Sequence, residues 1–280
     1  FGIRRAQAMT VLLRTDQLLC RFGGLIAVGG VDLSVEAGHV HGLIGPNGAG
    51  KTTFLNLISG HIRQTSGTII FDGQDLGSMP PDLRAVAGIR RTFQNLRLFR
   101  EMTAIENVMV GLHANTRSEV FSSLIRTGAQ RREEKDIADR ARAALDFVGL
   151  LGSANTIAGS LPYGHQRLLE IARAFVGKPK LILADEPAAG LNGTEAGQLV
   201  GLIRRIQATG VTMMLVEHHM EVVMRACDRI TVLNYGKKLA DGSPADIRDH
   251  SGVIEAYLGT KTVYSRTELR KTAEAPSAAH

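Results

Sequence analysis

The chain has 280 residues, of which 44% are hydrophobic and 21% charged, and its formal net charge at pH 7 is +6. This composition excludes a largely disordered chain, and no apolar run approaches the ~18 residues of a membrane-spanning helix. The basic residues are scattered and interleaved with acidic ones, which predicts a solvated surface and no nucleic-acid partner. Cys20 and Cys227 lie far apart and outside any metal-ligand spacing, so we expect two reduced thiols.

The strongest motif is a glycine-rich loop between a strand and a helix. Residues 40–60 read VHGLIGPNGAGKTTFLNLISG. The apolar run from Val40 to Ile44 predicts a buried strand, and the apolar spacing after Lys51 predicts a helix that Gly60 is placed to end. Strand, glycine-rich loop and helix in this order are typical of a phosphate-binding loop.

The chemistry of triphosphate binding accounts for the residues of this loop. Glycines let successive backbone N–H groups converge on a polyphosphate, and the helix N-terminus adds further donors. Lys51 supplies a positive charge to the β- and γ-phosphates, and the Thr52 hydroxyl can ligate Mg²⁺. The predicted nucleotide-binding residues are Gly45, Pro46, Asn47, Gly48, Ala49, Gly50, Lys51, Thr52 and Thr53.

Two helical patterns follow in the middle of the chain. An apolar stripe predicts one helix that ends at Gly149, and its members are Ile137, Ala141, Ala144, Leu145 and Val148. The second helix, with apolar Leu168, Leu169, Ile171 and Ala172, comes directly after Pro-Tyr-Gly-His in SLPYGHQRLLEIARA, residues 160–174. There Gly164 permits a close backbone approach, and the helix N-terminus can face an anion. The alternative is that this stretch is only an ordinary helix start, with a proline in its first turn.

A buried strand then ends in two acidic residues. In KLILADEPAAGLN, residues 180–192, Leu181 to Ala184 predict a fully buried parallel strand, and such strands end at ligand sites. We expect Asp185 to hold Mg²⁺, and Glu186 to orient or deprotonate the water that attacks the γ-phosphate. The alternative is that these residues only cap the strand and open a turn.

A third strand leads to a pair of histidines. In VTMMLVEHH, residues 211–219, His218 follows the apolar run, and Glu217-His218 is predicted to sense the γ-phosphate at the same sheet edge. The alternatives are a solvated loop histidine, or a metal site shared with His219. Adjacent residues of an extended chain point to opposite faces, which argues against a shared metal.

Together, these motifs resemble those of the ATP-binding subunit of an ABC transporter. The resemblance implies an α/β P-loop NTPase core with a mainly parallel sheet, an antiparallel β subdomain and a helical subdomain. It implies that Gln94, in RRTFQNLRLF, contacts Mg²⁺ and a membrane subunit. It also implies that Phe22, in CRFGGLIAV, stacks on adenine with Val28 as a further contact, although a core position is the alternative for Phe22.

The same resemblance assigns the loop before the Leu168 helix. In the family, the signature loop usually reads Leu-Ser-Gly-Gly-Gln and closes over ATP held by a second, head-to-tail subunit. Here it consists of Leu161, Pro162, Tyr163, Gly164 and His165, and it departs from that pattern at Pro162, Tyr163 and His165. Asn192 stands where the family usually has aspartate. These departures bear on how tightly the loop grips the partner's ATP.

Further segments narrow the resemblance to importers of branched-chain and other hydrophobic amino acids. They are FGGLIAV, RTFQNLRLFREMTAIENVMVGLH, LPYGHQRLLEIAR and DEPAAGLN, together with the insertion at residues 114–134 and the ending VIEAYLG at 253–259. The predicted organisation is one ATPase domain over 11–259, with an α/β core (11–93 and 159–259) and a helical subdomain (94–158). The ends, 1–10 and 260–280, are expected to be flexible.

The resemblance also implies the reaction and the partners. Lys51, Glu186 and His218 would be catalytic, and Thr52, Gln94 and Asp185 would hold Mg²⁺ beside ATP. The partners would be a second ATPase subunit, with a mixed dimer favoured, two permease subunits that contact residues 95–110, and indirectly an extracytoplasmic binding protein. The chain would be peripheral, at the cytoplasmic face of the inner membrane. A soluble ABC ATPase and a catalytically silent binding subunit are the alternatives.

Overall fold

A computed structural model describes residues 10–94, 96–113 and 128–258. Its strands are β1 (Val11–Phe22), β2 (Leu25–Glu36), β3 (Val40–Ile44), β4 (Ser66–Phe71), β5 (Gln74–Asp75), β6 (Ile89–Arg91), β7 (Leu181–Asp185), β8 (Thr212–Val216), β9 (Arg229–Asn234) and β10 (Lys237–Gly242). Its α-helices are α1 (Lys51–Ile58), α2 (Pro81–Ala87), α3 (Ala104–His113), α4 (Gly128–Phe147), α5 (Tyr163–Phe175), α6 (Gly193–Ala208), α7 (Met220–Ala226), α8 (Pro244–Arg248) and α9 (Ser251–Leu258).

The central sheet has six strands in the order β10-β9-β3-β8-β7-β6. Neighbouring strands of this sheet pair in parallel, apart from the antiparallel pair β9 and β10. Every residue of β3, β7 and β8 is buried, as expected for continuous apolar runs in strands covered on both faces. A separate antiparallel sheet has the order β2-β1-β4-β5. The predicted fold class is therefore confirmed.

Each face of the central sheet has its own hydrophobic core, because successive side chains of a strand point to opposite faces. Ile182 and Ala184 of β7 belong to the core that includes α3 to α7. Leu181 and Leu183 belong to the core shared with α1 and the antiparallel sheet. The central sheet is thus the middle layer of three, and its strand ends are fixed from both sides.

The helical segment has the predicted apolar stripe. Ala141 and Leu145 of α4 are completely buried, and Ala144 and Val148 are nearly so. Gly149, with φ +80°, adopts the left-handed conformation that ends a helix. The subdomain boundaries at 93/94 and 158/159 stay predictions. Most of the insertion, at 114–127, and the predicted ends, except Thr10, lie outside the described residues.

The carboxyl ends of four parallel strands bring the motifs to one edge of the sheet. The phosphate loop follows β3, Asp185 ends β7, Glu217 follows β8, and Gln94 comes three residues after β6. In open α/β sheets this edge is where ligands bind. In the part of the chain that the structure describes, no helix combines the length and apolarity needed to cross a bilayer.

Candidate active site

The phosphate loop is shaped by glycines at positions that disfavour other residues. Gly45, Gly48 and Gly50 have φ of +149°, +79° and +99°. A Cβ on Gly45 would overlap the Leu233 carbonyl oxygen, and one on Gly50 would overlap that of Ala27. Gly50 is the N-cap of α1, where no side chain caps the helix and no acidic residue lies in the first turn. The first N–H groups of α1 therefore remain available to an anion.

The Lys51 ammonium lies over this loop. Its Nζ donates hydrogen bonds to the carbonyl oxygens of Gly45 at 2.7 Å and Pro46 at 2.9 Å. Burial lowers the pKa of Lys51, while the negative charges of Glu186 and Asp185 act in the opposite direction. A buried ammonium beside an uncapped helix N-terminus fits a triphosphate group, because the negative charges of the phosphates would complement the positive charge of both.

Glu186 is held between two predicted site residues. Its Oε2 accepts a hydrogen bond from Gln94 Nε2 at 2.8 Å, and its Oε1 lies 3.6 Å from His218 Nδ1. The Glu186 backbone has φ +49°, a left-handed conformation that is uncommon for a residue with a side chain. The structure thus brings together Gln94, Glu186 and His218, three residues from different strand ends, around one carboxylate that could act as a base.

Asp185 is buried, and one of its oxygens has a partner in the described structure. Its Oδ2 accepts a hydrogen bond from Arg91 Nη2 at 2.9 Å. Further oxygen donors for a cation at this edge are the exposed Thr52 hydroxyl and the amide oxygen of Gln94, whose nitrogen donates to Glu186.

The chemistry of these donors fits a magnesium ion. Among residues 10–94, 96–113 and 128–258, no cluster of three or more His, Cys, Asp or Glu could hold a metal. Mg²⁺ does not require such a cluster, since it usually takes one or two protein oxygens together with substrate phosphates and water. The hydroxyl, amide and carboxylate oxygens of Thr52, Gln94 and Asp185 have the required hard-donor chemistry.

Glu217, in contrast, has a structural role. It is completely buried, its Oε1 accepts from Ala188 N at 2.6 Å, and its Oε2 accepts from the backbone of His218 and His219 at 3.1 and 3.3 Å. Burial raises the pKa of Glu217, and the hydrogen bonds and neighbouring histidines oppose that rise. Of the predicted Glu217-His218 sensor, only His218 reaches Glu186, while Glu217 joins the loops after β7 and β8.

The predicted adenine residues lie in different environments. Phe22 is 48% exposed at the end of β1, beside exposed Leu25 and Ile26 at the start of β2. Val28 is completely buried in the core and pairs with Cys20 across the two strands. The adenine contact of Val28 stays a prediction, and its burial favours Ile26 as the apolar surface neighbour of Phe22. Cys20 and Cys227 are both buried free thiols.

The signature segment starts a helix earlier than its sequence predicts. Pro162, with φ −53° and ψ 149°, is the N-cap of α5, so Tyr163, Gly164 and His165 form the first turn. The Pro162 carbonyl accepts the first helical hydrogen bond, from Gln166 N at 3.0 Å. The turn expected ahead of the helix is thus part of the helix, and Pro162 precedes it as the N-cap. No side chain caps this N-terminus.

The same chain already fills part of the space beside the signature helix. A Cβ on Gly164 would lie 2.7 Å from Glu195 Oε1, and a Cβ on Gly190 would lie 3.0 Å from the Tyr163 ring. The Tyr163 hydroxyl accepts from Arg167 Nη2 at 2.9 Å. A side chain at position 164 would therefore require the Glu195 carboxylate to move.

Sequence reasoning missed two arginines that connect to the site. Arg167, buried in α5, donates to the backbone carbonyls of Phe93 at 2.9 Å and Gln94 at 2.5 Å. Arg91 bonds Asp185. The only available signal for Arg91 was its place three residues before Gln94. An arginine on α5 carries no signal that it is buried.

Comparisons with known proteins show the family of the chain. The model of the ABC transporter family matches residues 28–189, and that of the branched-chain amino acid ATP-binding cassette transporter matches residues 237–262. The chain is 46% identical over 249 residues to the high-affinity branched-chain amino acid transport ATP-binding protein BraF of Pseudomonas aeruginosa, which covers 89% of this chain and 98% of BraF. The protein LivG of Escherichia coli, with the same description, gives the same identity and coverage.

Solved structures of ATP-binding cassettes are also similar to this chain. The ADP conformation of MJ1267, an ATP-binding cassette of an ABC transporter, has a TM-score of 0.79 and 31% identity, over 89% of this chain and 99% of that one. A dimeric post-hydrolysis state of the ATP-binding cassette MJ0796, bound to ADP and Pi, has a TM-score of 0.70 and 25% identity, over 83% and 99%. From these matches, the chain belongs to the ABC transporter family, as an ATP-binding subunit that hydrolyses ATP to power transport.

Proposed function

We propose that this subunit powers the import of branched-chain amino acids or a related small solute. The observation that carries the proposal is the 46% identity to two proteins named for branched-chain amino acid transport, over 98% of the length of each. The family match at residues 237–262 supports the same class of solute. The relatives are named as transport proteins, so nothing favours the alternative of a soluble ABC ATPase.

The residues at the sheet edge take distinct roles in the proposed reaction. The loop from Gly45 to Thr53 binds the phosphates of ATP through its backbone N–H groups and the Lys51 ammonium. Glu186 accepts a proton from the attacking water, and His218, beside it, contacts the γ-phosphate. Phe22 stacks on adenine, with Val28 and exposed Ile26 nearby.

Mg²⁺ would be held by the oxygens of Thr52, Gln94 and Asp185, and when bound it would neutralise charge on the β- and γ-phosphates. The hydrogen bond from Gln94 to Glu186 keeps the amide oxygen of Gln94 free, because the nitrogen is the atom that donates. Gln94 can therefore orient the base and present an oxygen to a cation at the same time.

The proposed assembly is a head-to-tail dimer of ATPase subunits, with a mixed dimer favoured, on two permease subunits at the cytoplasmic face of the membrane. The segment Leu161 to His165 would cap ATP bound to the partner, and its uncapped helix N-terminus supports this role. Exposed Phe99 and Met102 supply apolar area for a permease contact. An extracytoplasmic binding protein would act indirectly, and nucleic acid has no part.

Two substitutions separate binding from hydrolysis. We expect Lys51→Ala to abolish nucleotide binding, because it removes the positive charge over the loop. We expect Glu186→Gln to keep binding and lower turnover by at least about 100-fold, the usual contribution of a general base. Titration of a fluorescent ATP analogue and phosphate release with the cognate subunits would measure both. Normal hydrolysis by Glu186→Gln would refute the assigned base.

The transport role needs its own test. Affinity purification from solubilised membranes should recover a second ATPase subunit and two permease subunits. Vesicles reconstituted with that complex and its binding protein should take up labelled leucine, isoleucine or valine only when they contain ATP. Recovery of ribosomes or RNA in place of membrane subunits, with salt-sensitive binding, would contradict the proposal.

A further inference from the structure

The guanidinium of Arg91 connects Asp185 with the helix that follows the phosphate loop. Its Nη2 lies 2.9 Å from Asp185 Oδ2. Its Nη1 donates to Asn56 Oδ1 at 2.6 Å and to Ser59 Oγ at 3.1 Å. Asn56 lies in α1, and Ser59 is the C-cap of that helix. One side chain therefore joins the ends of β6 and β7 to α1, which begins with Lys51 and Thr52.

Stability alone is a poor reason for this arrangement. The side chains of Arg91 and Asp185 are only 8% and 4% exposed, and desolvation of a buried ion pair offsets much of its attraction. Arg91 Nε is buried without a hydrogen-bond partner, so the pair is also incompletely satisfied. Apolar residues of similar volume often stabilise a protein as well as a buried ion pair does. This comparison favours a role in the site.

The local geometry directs Arg91 to this position. Arg91 pairs with Leu183 on the parallel strand β7, two residues before Asp185, and Thr92 N donates to the Leu183 carbonyl at 2.9 Å. Its neighbour Arg90 donates instead to the carbonyl oxygen of Ala85, since alternate residues of a strand face opposite ways. A planar guanidinium can bond Asp185 and α1 at once, whereas a lysine ammonium has no comparable fork.

We propose that Arg91 is a positioning residue for the proposed metal site. It holds Oδ2 of Asp185, orients Oδ1, for which no described residue is a hydrogen-bond donor, and fixes both relative to the helix that carries Thr52. Residues that hydrogen-bond a metal ligand set its orientation, and their loss typically lowers metal affinity 10- to 100-fold. The inference rests on the proposed role of Asp185 in Mg²⁺ binding.

The test compares nucleotide affinity with and without the metal. The dissociation constant of a fluorescent ADP analogue is measured for the full chain in EDTA and again in excess Mg²⁺. The value in EDTA divided by the value in Mg²⁺ is the Mg²⁺-dependent gain in affinity. We expect Arg91→Met, which keeps the length and apolar stem, to lower this gain by about 10- to 100-fold. Affinity in EDTA should change by less than about threefold, because the phosphate loop and Lys51 remain.

Two further variants keep the test decisive if Arg91→Met does not fold, which thermal denaturation would reveal. Arg91→Lys keeps the positive charge but lacks the forked guanidinium, and it should lose part of the Mg²⁺-dependent gain. Asn56→Ala removes one bond to α1, keeps the ion pair and should lose less. Arg90→Met is the matched control on the other face of the same strand, and its gain should equal that of the unmodified chain.

The possible results are distinguishable. Equal losses in Mg²⁺ and in EDTA would make Arg91 merely structural, and an unchanged or increased gain in Arg91→Met would also overturn the inference. Asp185→Asn separates this failure from that of the metal site itself. If Asp185→Asn keeps the full gain, the assignment of Asp185 to the metal is wrong. If Asp185→Asn loses the gain and Arg91→Met keeps it, only the role proposed for Arg91 is wrong.

Discussion

Glu186 is the residue at which backbone conformation and chemistry are most closely linked. Its left-handed backbone, at φ +49°, costs on the order of 1 kcal/mol for a residue with a side chain. The backbone bond from Glu186 N to the Val216 carbonyl, at 2.8 Å, helps to hold this conformation. The result is a carboxylate that contacts both Gln94 and His218.

His41 is a second residue whose environment has a measurable consequence. It is buried in β3, and its Nε2 lies 2.9 Å from Thr231 Oγ1, which donates its own proton to Asp241. Nε2 is therefore the protonated nitrogen of a neutral ring. Burial lowers the pKa of His41 to about 4, although the negative charge of Asp241 acts in the opposite direction.

This pKa predicts how stability depends on pH. In the unfolded chain, histidine has a pKa of about 6.5, so between pH 6.5 and 4 the unfolded state binds more protons than the native state. The free energy of unfolding should therefore fall as the pH decreases through that window and be insensitive to His41 above it. Between pH 7 and pH 5 the contribution is about 2 kcal/mol.

The substitution His41→Gln isolates this contribution, because glutamine can donate to Thr231 and does not titrate. Urea unfolding at pH 7, 6 and 5 should show a smaller loss of stability at low pH for the glutamine variant. The carboxylates titrate in both proteins and cancel in the comparison. If both proteins lost the same free energy between pH 7 and 5, His41 would not be the buried neutral histidine described above.

At the scale of secondary-structure elements, α5 and α6 begin side by side. Glu195, in the first turn of α6, lies against Gly164 in the first turn of α5. Asn192 is the N-cap of α6: its Oδ1 accepts from Glu195 N at 3.0 Å, and its backbone N donates to Glu195 Oε2 at 2.9 Å. This reciprocal capping box fixes the carboxylate beside Gly164. The Asn192 departure from the family pattern thus keeps a side-chain oxygen where the helix needs one.

We expect Asn192→Ala to destabilise the protein by about 1 kcal/mol, the usual contribution of an N-cap side chain. For a chain of this size, the thermal midpoint should fall by about 2 °C. Asn192→Asp is the matched control, since aspartate caps a helix as well as asparagine does. If Asn192→Ala had the same thermal midpoint as the unmodified chain, the capping box would contribute no stability.

At the scale of the whole molecule, the phosphate loop and the signature segment belong to different helices, α1 and α5. The phosphate loop and Glu186 lie at the carboxyl edge of the central sheet, and the signature segment begins a different helix, α5, whose N-terminus no side chain caps. A head-to-tail dimer would bring the two features of different subunits together. The similar cassette MJ0796 has been solved as a dimer with ADP and Pi bound.

The exposed N-cap Pro162 predicts a change in dimer formation. Proline has no hydroxyl with which to contact a partner's phosphate, so we expect Pro162→Ser to increase the ATP-dependent dimer fraction by a few-fold. Light scattering on a size-exclusion column, with Glu186→Gln subunits and ATP, would measure that fraction. Pro162→Ala is the control, because it removes the proline without adding a hydroxyl. Equal dimer fractions for the serine variant and the unmodified chain would count against the prediction.

The sequence by itself determined the elements whose signal is local. The strand from Val40 to Ile44, the glycine-rich loop and the helix after it follow from apolar spacing and from glycine, and the structure has all three. The stripe of α4 and its end at Gly149 follow for the same reason. These features depend on residues a few positions apart, so a single chain segment contains the information.

Only the tertiary structure decided which side chains meet across the sheet edge. Arg91 and Asp185 are 94 positions apart, and nothing local distinguishes Arg91 from Arg90 until β6 lies beside β7. The burial of Val28, the structural role of Glu217 and the contact of Gly164 with Glu195 likewise depend on elements distant in the chain. Packing sets these contacts, because it determines which strand ends and helix starts become neighbours.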